Sequence, residues 1–356
     1  MTFEVLDAAV PADRARWVAL WSAWPDREVH AHPTYAELFA RDGVDRCLAL
    51  VGSGESSTIL LPVVLRPLSE EPWMDAEAGW WDLTTPYGYG GAYTWGNEAL
   101  EGRDFLEQLE SWARGARIVT GFLRLSLFEE QLLAIPGPRV ERMTNVVRSL
   151  DLDDEALWSD YAHKVRKNVK RARKHELVVE FDETGSGLDD FLQIYLGTME
   201  RREAANSFYF ERRFFERVID ELPGSFVFVH VRALDRSVVS TELVLLSART
   251  AYSFLGGTRE EAFAMRPNDL LKHETIRWLR ESGREAFVLG GGYGADDGIY
   301  RYKKAFAPHG DRVFSTQSLV LDPTGFDRLM TTRERWENDQ GRPWSPAEGF
   351  FPPYRS

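Results

Sequence analysis

Apolar residues along this chain follow two spacings: stretches that repeat every three to four positions, as amphipathic helices do, and short runs that alternate or continue, as strands do. Helical spacing covers residues 12–23 and 33–41. The runs Arg46–Val51 and Thr58–Leu65, divided by the Gly/Ser-rich turn Gly52–Ser57, predict two paired strands. An aromatic, glycine-rich loop spans Trp80–Gly91, followed by a helix near 101–115 and strands at Phe122–Phe128 and Val146–Leu152. The second half repeats the theme. Helices are expected near 154–175, 187–202 and 211–221, then strands at Phe226–Arg232, Val238–Ser247 and Thr250–Leu255. A helix near 269–282, strand Ala286–Leu289, a short helix near 298–306, strand Arg312–Leu321 and a helix near 323–338 complete the order. The Pro-, Gly- and aromatic-rich tail beyond them is expected to pack as irregular structure. Helix pairs, an antiparallel meander and then helix–strand describe a mixed α/β fold with a mixed sheet, not a doubly wound parallel one.

A length of 356 residues exceeds the usual single domain, and the boundary is expected near 150–155, giving domains 1–152 and 153–356. With 44% apolar residues and 12 Trp the chain can build real cores, which excludes a disordered protein. No apolar run approaches the roughly 18–20 residues that span a bilayer. Met1–Val5 lacks the basic-then-apolar pattern of an export signal, so a cytoplasmic location is expected. Cys47, the single cysteine, lies in an apolar run and is expected to pack as a small hydrophobe. The seven His show no metal-ligand spacing, and no metal is expected.

The net charge of −13 argues against indiscriminate nucleic-acid binding, yet lysines occur only from residue 164 onward. Residues 161–174 place Tyr161, Ala162, Val165, Val169 and Ala172 on one helical face and seven Lys and Arg opposite. A one-sided basic helix in an acidic protein is a footprint for phosphate: a tRNA acceptor arm, a nucleotide-linked acceptor or CoA. A second segment runs from Leu255-Gly256-Gly257-Thr258-Arg259 to Met265-Arg266-Pro267-Asn268-Asp269. There Asn268 is the expected N-cap of a helix whose Leu271, Thr275, Trp278 and Leu279 face the core. Its start could hold an anion, but the closely spaced glycines that wrap a pyrophosphate are lacking, which counts against CoA.

The third segment is the glycine-rich stretch Leu289–Gly298 leading into Ile299–Phe306, with Asp297 the expected N-cap and Asp296 a turn residue. On that helix Lys303 falls about 40° from Ile299 and Lys304 about 140° away, so Lys303 borders the core and Lys304 points outward. A partly buried ammonium beside open space suits stabilising a developing oxyanion in acyl transfer. No Ser/His/Asp or Cys/His arrangement accompanies it. Asp82, Asp296 and Glu242 are available as bases but read as structural.

These residues resemble the peptidoglycan-bridge aminoacyltransferases of the FemABX type, within the wider GNAT acyltransferase superfamily. The basic helix Lys164–Lys174 with its central Asn168 is similar to the family's lysine/arginine helix. Thr198-Met199-Glu200-Arg201 with Phe208-Tyr209-Phe210, and Gly298-Ile299 with Tyr302-Lys303 and Phe306, are similar to its other signatures. The first half resembles the family more loosely, through Thr85–Gly91. The resemblance implies two tandem GNAT-like domains with an acceptor cleft between them, and no metal or bound cofactor. It also implies transfer of an amino acid from aminoacyl-tRNA to an amine, acyl-CoA being the alternative donor. Residue by residue, Lys303 would stabilise the tetrahedral intermediate with Tyr302 beside it. Arg201 and Arg202 would hold the acceptor's anionic group, and Tyr209, Tyr87 and Tyr89 would contact substrate. Lys164, Lys167, Lys170, Arg171 and Lys174 would grip tRNA. The chain departs from the pattern in having no lysine before residue 164, where the nearest segment reads His32-Pro33-Thr34-Tyr35. The acceptor therefore stands open between a muropeptide and a small specialised metabolite. The competing readings are an acyl-CoA-dependent N-acyltransferase acting on a sugar or metabolite amine, and a binding module without catalysis.

Overall fold

Alternating apolar residues build the strands of two compact units. In a computed structural model that describes residues 1–75, 77, 79–292, 294 and 297–356, one unit comprises Met1–Trp24, His30–Arg142 and Phe314–Ser356. The other comprises Pro25–Val29 and Met143–Val313. Asp296, expected at a turn, lies outside the described residues.

The first unit runs β1 (Thr2–Asp7), α1 (Pro11–Ala23), α2 (Pro33–Leu38), β2 (Arg46–Ser53), β3 (Ser57–Pro67), β4 (Trp81–Thr84), β5 (Tyr93–Gly96), α3 (Gly102–Gly115) and β6 (Ile118–Arg124). From there β7 (Arg139–Ser149) leads into the second unit. That unit holds α4 (Asp154–Asp160), α5 (His163–Arg173), β8 (Val178–Asp182), α6 (Leu188–Arg201), α7 (Arg212–Glu221), β9 (Phe226–Arg232), β10 (Val238–Leu246), β11 (Thr250–Thr258), α8 (Pro267–Glu281), β12 (Ala286–Gly290) and α9 (Gly298–Lys304). β13 (Asp311–Val320) and α10 (Pro323–Asp339) bring the chain back to the first unit.

Strand order in the first unit is β1-β2-β3-β4-β6-β13, with β5 on β3; in the second it is β7-β12-β11-β10-β9-β8. In both, one adjacent pair is parallel, β4 with β6 and β11 with β12, and the other pairings described within each unit are antiparallel. The strands of the second unit are covered on both faces. Val227, Val229 and Val231 of β9 share a core with Val165, Val169 and Ala172 of α5 and with Ile276 and Leu279 of α8. On the opposite face Phe228 meets Phe191 of α6, ring centroids 4.9 Å apart. Burying each such valine contributes about 1.5–2 kcal/mol, which turns the charged side of α5 outward.

Compactness groups the residues differently from a division at 152/153. Residues 143–152 pack with the second unit, and 314–356 with the first. The tail is anchored by side chains as well as backbone. Tyr354 Oη lies 2.6 Å from Thr120 Oγ1, and Arg355 Nε donates to Asp82 Oδ2 at 2.5 Å. Asp82 is fully buried and also accepts from Arg66 Nε at 2.8 Å, so it is held in structural ion pairs. Nothing local in residues 311–356 announces that these partners lie more than 200 positions back.

Other expectations shift. The helix expected over 154–175 is two helices, because Tyr161 and Ala162 adopt extended backbone between α4 and α5. The break leaves carbonyls at the end of α4 that need donors. The Arg166 guanidinium supplies them, donating to the Ser159 carbonyl at 2.8 Å and to that of Tyr161. The strand expected at Phe122–Phe128 starts at Ile118 and ends at Arg124. Cys47 is a buried core residue. No described helix is long and apolar enough to cross a membrane.

Candidate active site

The parallel pair β11–β12 is short. Only Thr250–Tyr252 and Ala286–Val288 are paired, after which β11 continues beside β10 to Thr258 while β12 ends at Gly290. A bulge between Leu243 and Val244 shifts the β10–β11 register where the strands part, and Gly290 turns the backbone with φ +84°. The half-buried Gly256 and Gly257 belong to the free half of β11. A Cβ on Gly257 would stand 2.9 Å from the Ile194 carbonyl of α6 and would collide with Thr198 Oγ1. Gly257 therefore serves close packing of α6 on the strand, and a Cβ on Gly256 would collide with the Thr241 carbonyl of β10.

Helix α9 faces this parting. Asp297 caps it, accepting from the Tyr300 amide at 2.7 Å, as the sequence predicts. Tyr302 donates its hydroxyl to the Asn268 carbonyl at 3.1 Å and sets its ring edge against Phe306, 5.3 Å between centroids. It pins α9 to the start of α8. Lys303, half-buried, then donates from Nζ to the Gly291 carbonyl at 2.7 Å, just past the end of β12. An ammonium has three donors, and among the described residues no other hydrogen bond and no ion pair engages this one. Burial pushes its pKa down to about 8, with the nearby Lys272 charge acting the same way and Glu242 and Asp297 opposing. Lys304 lies on the outer side, paired with Asp311 Oδ2 at 2.5 Å.

Three residues behind the parting were not legible as a group. Lys272 Nζ of α8 lies 2.5 and 2.8 Å from the two carboxylate oxygens of Glu242 on β10, and 3.0 Å from Ser253 Oγ on β11. Ser253 also donates to Glu242, and the Lys272 ammonium stands 5.0 Å from the Phe287 ring centre. Side-chain exposure of 8% for Lys272 and 10% for Glu242 makes this a buried ion pair. A signal did exist: Glu242 is the single charge in Val238–Leu246, and Lys272 precedes Ile276 and Leu279 on the apolar stripe of α8.

On α5 the predicted apolar residues Val165, Val169 and Ala172 are buried, and Tyr161 just ahead of the helix is buried with them. Of the seven cations, Arg166 binds backbone carbonyls, and Arg173 pairs with Glu274 at 3.0 Å and meets His273 Nε2 at 3.1 Å. Lys164, Lys167, Lys170, Arg171 and Lys174 are exposed and, among the described residues, make no ion pair. Lys170 lies 5.9 Å from the Trp158 ring centre. Asn168, central in the helix, donates to Asp269 Oδ1 at 3.1 Å, tying α5 to the first turn of α8. Asn268 is not the cap of that helix. Arg266, at φ +62°, occupies the N-cap position and Pro267 opens the first turn, where its missing N–H costs nothing.

The remaining candidates are spread more widely. Arg201 is exposed, donates to the Thr258 carbonyl at 3.1 Å and stacks 5.2 Å from the Phe263 ring centre. Arg202, the C-cap of α6, and Tyr209 are exposed. Arg201 thus sits at the far end of β11, roughly 17 Å along the strand from Ser253. In the first unit Tyr87 is exposed and stacked on Phe39 at 5.2 Å, and Tyr89 packs edge-on against His30 at 5.6 Å. His32 caps α2 through Nδ1, which accepts from the Thr34 amide.

This topology, with a parting parallel pair in the second unit, is a GNAT-like fold. Residues 159–304 match the acetyltransferase (GNAT) domain family. The wider fold is similar to FemX, at 12% identity and TM-score 0.67 over 88% of this chain and 98% of that one. It is also similar to a conserved protein of unknown function from Bacteroides thetaiotaomicron, at 10% identity and TM-score 0.58 over 89% and 100%. The structure of L-PGS from Bacillus licheniformis is similar at 11% identity and TM-score 0.55 over 91% and 96%. No curated protein sequence matches the chain.

Proposed function

We propose that the protein transfers an amino acid from aminoacyl-tRNA to an amine acceptor, forming an amide. The observation that carries this reading is the Lys303 ammonium, held on one carbonyl beside the parting of β11 and β12 with donor capacity to spare. An aminoacyl ester is already activated. Attack by an amine places negative charge on the carbonyl oxygen, and a pre-positioned cation in a poorly solvated site stabilises that charge by several kcal/mol without reorganising. Lys303 plays that part, and Tyr302 positions it. The outward face of Lys164, Lys167, Lys170, Arg171 and Lys174 suits the phosphates of an RNA acceptor arm, since among the described residues none of the five makes an ion pair with a carboxylate. Arg201, Arg202, Tyr209, Tyr87 and Tyr89 are proposed contacts for an acceptor, whether muropeptide or small metabolite.

Acyl-CoA as donor is the second reading, favoured by the family match. Two features weigh against it. The glycines of the β11 end are used for packing, and the first turn of α8 is filled by the protein's own Asp269, a buried carboxyl. A pyrophosphate at that helix start would meet this acid where it needs the positive end of the dipole. Incubating the protein with charged tRNA pools and, separately, with acetyl-CoA, each with a panel of amines, decides by mass spectrometry. Amide products from the tRNA arm are expected; products from acetyl-CoA alone would replace this reading with the second.

A further inference from the structure

A second cation buried close to Lys303 is an unexpected choice for a site that needs a charged lysine. Two ammonium groups sharing a poorly solvated region weaken each other's hold on a proton. Lys272 could have been a methionine or leucine, as its neighbours Ile276 and Leu279 on the same stripe are apolar. Instead it is tied by both oxygens of Glu242 and by Ser253, which fixes α8 against β10 and β11 where β11 leaves β12.

We propose that Glu242 and Lys272 are positioning residues for Lys303: the carboxylate offsets the nearer lysine's charge, so that Lys303 stays cationic and aimed into the parting of β11 and β12. The proposal rests on the role given to Lys303 above. Among the described residues, the charged groups facing Lys303 are Lys272 from α8, Glu242 from β10 and Asp297 from the start of α9, with Gly291 O as the hydrogen-bond acceptor. Lys272 loosens the Lys303 proton, and Glu242 and Asp297 hold it. Removing the carboxylate leaves two like charges facing each other. Removing Lys272 leaves a carboxylate facing Lys303 alone. The two substitutions must therefore displace the Lys303 titration in opposite directions, whereas a merely structural pair would lose stability in both and displace it in neither.

Trace labelling of the full chain with acetic anhydride, which reacts only with neutral amines, reads that titration at Lys303 by peptide mass spectrometry across about pH 6 to about pH 11. The parent should titrate near 8. Glu242→Gln should lower the midpoint by roughly one unit and Lys272→Met should raise it by a similar amount. The charge-swapped double variant Glu242→Lys/Lys272→Glu keeps a buried pair, so it retains the fold if a single variant does not; its midpoint should rise above the parent's. A midpoint unmoved in any folded variant, or moved the same way in both single variants, overturns the proposal. These midpoints need no substrate. The separate result that Lys303→Ala turns over as fast as the parent would remove the role of Lys303 itself while leaving the labelling outcome standing.

Discussion

The two units share a strand order, β5 on β3 being an addition in the first, and their parallel pairs end differently. In the first, β4 and β6 pair over a few residues and the strands are then laced together. Thr85 donates its amide to the Phe122 carbonyl at 3.1 Å, the Arg124 amide donates to Thr85 Oγ1 at 2.9 Å, and the Arg124 guanidinium reaches Thr84 Oγ1 at 2.9 Å and the Thr85 carbonyl at 3.0 Å. Ser126 adds a bond to the Gly90 carbonyl at 2.7 Å. In the second unit β11 and β12 separate without such lacing among the described residues, and lysines, a carboxylate and a serine occupy the margin. One topology thus supports two outcomes. Where polar side chains satisfy the parting backbone, the place is structural; the parting beside the half-buried cation is where we propose that the chemistry occurs. The family match confined to 159–304 falls on the open one.

The largest effect expected on this contrast comes from Glu242→Ala. Leaving Lys272 buried without its partner should cost about 3–5 kcal/mol, read as a lower urea midpoint; a change under about 1 kcal/mol would show the pair to be wetter than its geometry implies. Next, Lys303→Ala should cut turnover about 10²–10³-fold while leaving donor affinity nearly unchanged, since its contact forms in the transition state. Activity should also fall as pH rises through about 8, where Lys303 loses its proton. The sign for stability is opposite. The folded state holds this proton less tightly than the unfolded chain, whose lysine titrates near 10.4, so stability should rise between about pH 8 and about pH 10.4 and Lys303→Met should flatten that rise. Reversing charge at Lys167, Arg171 and Lys174 should weaken tRNA binding and reduce its log–log salt slope by about 2–3; an unchanged slope would detach α5 from the donor. The smallest effect is expected from Arg124→Ala. It should cost about 1–3 kcal/mol through lost hydrogen bonds to Thr84 and Thr85, measured by urea unfolding and confined to stability of the laced parting.

The basic helix was legible because its signal is local: apolar residues at Val165, Val169 and Ala172 fix the buried face, and the lysines must then point away. The orientation of Lys303 relative to Lys304 was legible for the same reason. The break at Tyr161–Ala162 was not, because Arg166 satisfies the freed carbonyls from outside the local pattern. The Glu242–Lys272–Ser253 cluster was legible only as two misplaced charges, since its members come from two paired strands and a helix packed on them.

By itself, the order of residues determined the periodic elements, the mixed α/β class, the charged side of α5 and the side of α9 on which Lys303 sits. Each follows from a repeat of 2 or 3.6 residues and from the cost of burying charge. Tertiary structure alone decided that the segment after residue 313 joins the first unit, that β11 and β12 part where β4 and β6 are laced, and that a lysine on α8 meets a glutamate on β10. Those outcomes depend on contacts between residues far apart in the chain, where the gain from pairing strands and burying side chains is felt only once the distant partner has arrived.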